Sequence, residues 1–128
     1  MICSRNVSEV IDKGLMTRDY AEKITLGSAI CFEECWKKAR PIVRDSLFND
    51  ERNKFIWSVL SDMKSEGLEV DVMSLWLYTL GKYPQIQNPV ELAAYICEVT
   101  LVVAFKEYDK VLSELLRFYS MEIKRNGR

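Results

Sequence analysis

The stretch from Phe48 to Leu80, FNDERNKFIWSVLSDMKSEGLEVDVMSLWLYTL, reads as two helices joined by a tight turn, and it decides the fold class. Asn49 or Asp50 can cap the first helix. Phe55, Ile56, Val59, Leu60 and Met63 then fall at spacings of one, three, one and three, a single apolar stripe on a 3.6-residue period. Gly67 stands just past the last stripe residue, where a left-handed cap costs glycine little. Asp71 can cap a second helix carrying Val72, Leu75, Trp76 and Leu80.

Upstream, a helix is predicted to begin near Thr17 or Arg18 and to run to about Cys31, with Ala21, Ile24, Ala29 or Ile30, and Cys31 on its apolar side. Gly27 lies inside it. An interior glycine costs about 1 kcal/mol relative to alanine, so its presence predicts a second backbone passing close by. Glu33 to Val43 reads as another helix, with Trp36, Ala39 and Val43 inward and Lys37, Lys38, Arg40 and Arg44 outward on a solvated face. Pro41 predicts a broken final turn. Residues 1–16, with Val7, Val10, Ile11 and Leu15 before and after Gly14, are expected to form a loosely attached arm.

Downstream, Gly81 to Gln87 reads as a loop. Asn88-Pro89-Val90-Glu91 then starts a helix with a capping Asn, Pro at the first helical position and Glu at the third. Leu92, Ala93, Tyr95, Ile96 and Val99 line it. In the closing segment, Leu101, Phe105, Tyr108, Leu112, Leu115 and Tyr119 recur at spacings of four, three, four, three and four, a heptad seam. Ala104, Val111 and Phe118 add a second row at sevens. A helix with two apolar rows has more to cover than a small domain readily hides. The six seam residues are therefore the expected oligomer interface.

These elements make an all-α fold, a compact bundle of about six helices in one domain over 17–123, with a basic end at 124–128. A chain of 128 residues suffices for one core. With 48% apolar and 29% charged residues it has the composition of a globular protein. A net charge of -1 argues against a dedicated nucleic-acid binder. Of the would-be reading helix, Val72 to Leu80 contains no Lys, Arg, Asn or Gln to meet a phosphate or a base edge. The cysteines Cys3, Cys31, Cys35 and Cys97 form no CxxC, and no histidine is present, so the usual zinc arrangements are missing. They read as buried apolar thiols in a reducing compartment. No secretory signal pattern and no apolar run long enough to span a bilayer occur, so the expected location is the cytoplasm. No catalytic, cofactor or metal residues are expected. The adjacent carboxylates Glu33-Glu34 and Asp50-Glu51 diverge by about 100° on a helix, and no histidine is available as a general base.

The order of signals also resembles a known family. Ala21-Glu22-x-x-x-Leu26-Gly27, then Phe48, Ile56-Trp57, Gly67-x-x-x-Asp71, Tyr95 and Tyr108 is similar to the N-terminal domain of DnaB-type replicative DNA helicases, over about Tyr20 to Phe118. Two departures point to a divergent branch, from a phage or mobile element: Asn53 stands where members often have His, and Asn88-Pro89 where they often have Gly-Gly. The resemblance implies a compact helical domain ending in a helical hairpin that mediates self-association, with primase or a helicase loader as further partners. The helicase motor is not in this sequence, since no G-x-x-x-x-G-K-[ST] occurs and Gly81-Lys82 is followed by Tyr83. A small DNA-binding or regulatory helical protein is the alternative function.

Overall fold

The computed structural model describes residues 4–126, with side chains from Val7 onward. Expectations for Cys3, Gly127 and Arg128 fall outside the described residues. Seven α-helices and no strand occur among the described residues: α1 (Ser4–Asp12), α2 (Arg18–Cys31), α3 (Glu33–Ala39), α4 (Glu51–Ser65), α5 (Val72–Lys82), α6 (Pro89–Thr100) and α7 (Tyr108–Asn126). A single 3-10 turn, Asp45–Leu47, leads into α4.

Local chemistry explains the boundaries of the central pair. The Asp50 carboxylate accepts the Arg52 N–H at 2.8 Å and starts α4. At its end Gly67 takes φ +76°, which lets Leu68 N–H reach Met63 O at 3.0 Å and Gly67 N–H reach Lys64 O at 3.0 Å. These two bonds make a Schellman cap. Asp71 and Ser74 then close a capping box on α5, through bonds of 2.8 and 2.9 Å.

The bundle is organised around α2, which is buried from Ala21 to Ile30 except at Lys23. It packs on α6, α7, α3 and α4. Gly27 is where α6 passes: a Cβ there would lie 1.9 Å from Val99 O, so only glycine permits the approach. The close passage expected at this residue is present. The main core joins Leu26, Phe48, Ile56, Trp57, Leu60, Ile96 and Tyr108.

Several elements differ from the sequence reading, each for a local reason. Helix α3 stops at Ala39 rather than Val43. Pro41 has no N–H to donate, and Ile42 and Val43 both turn back to Ala39 O, at 2.9 and 2.7 Å. Asn88 holds the first position before α6 as expected, but at φ 52° and with no side-chain cap bond. A capping side chain works from the extended region, which Asn88 does not occupy. Residues 4–16, expected as a loose arm, pack on α7 in a second core with Val7 and Met16 buried beside Ile24 and Val111.

The largest difference lies in the closing segment. The heptad reading continues a helix through Leu101 and Phe105, yet residues 101–107 are turn and coil and α7 begins only at Tyr108. The Ser28 hydroxyl on α2 accepts the buried Ala104 N–H at 2.9 Å. Tyr108 OH donates to Thr25 O at 2.8 Å. The first bond gives a buried amide of the 101–107 turn a partner on α2 in place of a helical one, and the second fastens the start of α7 to α2. Helices α6 and α7 both pack on α2.

Candidate interaction surface

A buried polar network fixes the frame behind the surface. The Glu22 carboxylate on α2 is 1% exposed and sits at the start of α4. It accepts the Asn49 N–H at 2.6 Å, the Asp50 N–H at 3.3 Å and the Asn53 side-chain amide at 2.8 Å. A negative charge at a helix N-terminus is favourable, because the first amides have no partner inside the helix. Asn53 in turn accepts Tyr95 OH from α6 at 2.6 Å. On the other side Arg18 donates to Glu22 at 3.1 Å, to Glu122 at 2.7 Å and to Leu47 O at 3.0 Å. One chain of bonds therefore ties α2, α4, α6 and α7 together.

The electrostatics follow from that arrangement. Burial pushes the Tyr95 hydroxyl up, so it remains a donor. The Arg52 guanidinium lies 3.8 Å from the centre of the Tyr95 ring. Its hydrogen bond holds the Asp50 carboxyl below the usual range, and the Arg52 backbone N–H adds to this.

Glu22 and Asn53 were legible only in part. Asn53 stands at helical spacing on the Ile56, Trp57 and Leu60 stripe, and Glu22 stands likewise with Leu26 and Ala29. A polar residue on an apolar stripe is the signal that marks a buried network.

Of the expected interface residues, Tyr108, Leu112 and Leu115 are sealed in the main core. No partner can reach them on the folded chain, and that part of the expectation is corrected. Tyr119 is half-buried against the same core. Leu101 and Phe105 are 59% and 46% exposed, but in the turn before α7 rather than on it, with Phe105 tilted against Phe32 at 5.1 Å. The second row behaves in the same way: Ala104 and Val111 are buried and Phe118 is half-buried.

The apolar residues that α7 does expose come later. Leu116, Met121 and Ile123 are 39%, 44% and 50% exposed. Leu116, Tyr119 and Ile123 share one face at spacings of three and four. The same half still packs on the bundle, with Phe118 and Tyr119 against the two cores and Glu122 bonded to Arg18 at 2.7 Å. A separate exposed stripe, Met73, Leu77 and Leu80, runs along α5.

The residues that carried the resemblance are mostly those that hold the frame. Ala21, Leu26, Phe48, Ile56, Trp57, Tyr95 and Tyr108 are all buried, Glu22 anchors the network, Gly27 admits α6, and Gly67 and Asp71 make the turn. The DnaB-like helicase N terminal domain family matches residues 17–114. The chain belongs to this family. No curated protein and no solved structure matches it. No group of side chains that could hold a metal ion occurs among the described residues. No described helix is long and apolar enough to cross a membrane.

The thiols of this DnaB-like domain divide by burial. Cys35 is buried, and desolvation pushes its thiol up to about 11. Cys31 and Cys97 are exposed, against the expectation that all the cysteines are core residues. The Cys31 thiol still reaches Thr100 O at 4.0 Å, and partial desolvation pushes it up.

Proposed function

We propose that the protein is a non-catalytic interaction and oligomerisation module of a replicative DNA helicase. In this reading it associates with further copies of itself and docks a replication partner, primase or a helicase loader. Membership of the helicase N-terminal domain family supports the replication setting. The observation that carries self-association is the apolar face of the second half of α7, where Leu116 and Ile123 are 39% and 50% exposed.

Sedimentation at micromolar concentration tests the reading. The chain should sediment as an oligomer, and Leu116→Asp/Ile123→Asp should return it to single chains without unfolding it, because both positions are solvent-accessible. A strict monomer, or an oligomer that the double substitution leaves intact, refutes this role for α7.

A further inference from the structure

A cleft of about 700 Å³ opens between the start of α4, the loop before α6, and α6 itself. Its floor is apolar, formed by Phe55, Ile86 and Leu92, while Arg52 also lines the cleft and covers the buried Tyr95 ring at 3.8 Å. Phe55 stands edge-on to Tyr83 at 5.1 Å, which stiffens one wall. The rim is acidic. Glu51, Glu91 and Glu98 line it, and all three are exposed.

The cations nearby are committed to neighbours: Arg52 to Asp50 at 2.8 Å, Lys23 to Glu98 at 2.7 Å and Asp19 at 3.3 Å, and Lys54 to Glu51 at 3.1 Å. Carboxylates outnumber cations around the opening even so. A size of this order suits a ligand or a short peptide segment. The combination selects a segment with an apolar anchor and positive charge beside it.

This sequence carries such a segment. Ile123-Lys124-Arg125-Asn126-Gly127-Arg128 has three cations and no carboxylate. Ile123 is half exposed and Lys124 is exposed. We propose that the cleft receives this basic stretch from a second copy of the chain, with Ile123 on the Phe55–Ile86–Leu92 floor and Lys124 against Glu91 and Glu98. The proposal rests on the self-association reading and names the two surfaces that meet. The contact is heterologous, since the cleft of one copy takes the end of the next, and such contacts propagate into a ring or an open chain.

Fluorescence anisotropy of a dye-labelled peptide of residues 117–128, titrated with the full chain, is the test. Saturable binding that weakens with added salt is expected. Glu91→Lys/Glu98→Lys in the chain should weaken it about tenfold, a magnitude set by two reversed surface contacts. Ile123→Asp in the peptide should weaken it comparably and leaves the folded chain untouched. Absence of binding overturns the proposal, as does equal binding of a scrambled peptide or indifference to both substitutions. Sedimentation separates the two readings. An oligomer undisturbed by Glu91→Lys/Glu98→Lys overturns the cleft contact alone, whereas a strict monomer overturns self-association itself.

Discussion

Helix α2 and the second half of α7 are opposite solutions to placing side chains. Along α2, polar Glu22, Thr25 and Ser28 are buried with the apolar residues, and Glu22 and Ser28 each accept a backbone N–H from another part of the chain. Beyond Leu115, α7 does the reverse and exposes Leu116, Met121 and Ile123 to solvent. The first region spends polar groups on internal order, which makes it specific and costly to alter. The second carries apolar surface with no internal use, which is what an association surface requires.

Substitutions within α7 should separate its halves most sharply. Leu115→Asp places a carboxylate in the main core and should cost about 4 kcal/mol or more, read as loss of cooperative unfolding or of soluble protein. Ile123→Asp, two turns on, should leave the unfolding midpoint of the single chain within about 0.5 kcal/mol. Equal effects at the two positions would erase the distinction.

Within α2, Glu22→Ala strands the Asn49 amide, the Asn53 side chain and one side of Arg18, and should cost about 3 kcal/mol in denaturant unfolding. Tyr95→Phe removes only the far end of the network and should cost about 1 kcal/mol. Gly27→Ala presses a methyl group onto Val99 O. It should cost about 2 kcal/mol through a displaced α6, visible as faster amide exchange in both helices.

The smallest effect expected is that of pH. The Asp50 carboxyl is held below its ordinary 3.8 first by its bond to the Arg52 side chain. A depressed carboxyl stabilises the fold above its unfolded value and loses that contribution as pH falls through the folded one. Midpoints of wild type and Asp50→Asn should therefore differ by about 0.5 kcal/mol at neutral pH and converge once the pH has fallen through the lowered folded value. A constant difference down to that pH would rule out the ion pair as its source.

The contrast also explains what could be read from the chain beforehand. The α4–α5 pair was legible because its signals are local: Asp50, Gly67 and Asp71 act on amides within a few residues. Gly27 was legible because an unfavourable helix residue announces a close neighbour. The break at 101–107 was not. It depends on Ser28 capturing the Ala104 amide from 76 residues away, and a heptad pattern carries no record of that bond. The seam at Tyr108, Leu112 and Leu115 is real, but periodicity reports that a face is covered and not whether its own chain or another covers it.

Hydrogen exchange at low and high protein concentration tests the central claim most directly. The account predicts that amides of residues 116–126 become protected as concentration rises, while those of α2 remain at their global-unfolding limit throughout. Exchange over 116–126 that does not change with concentration would contradict it.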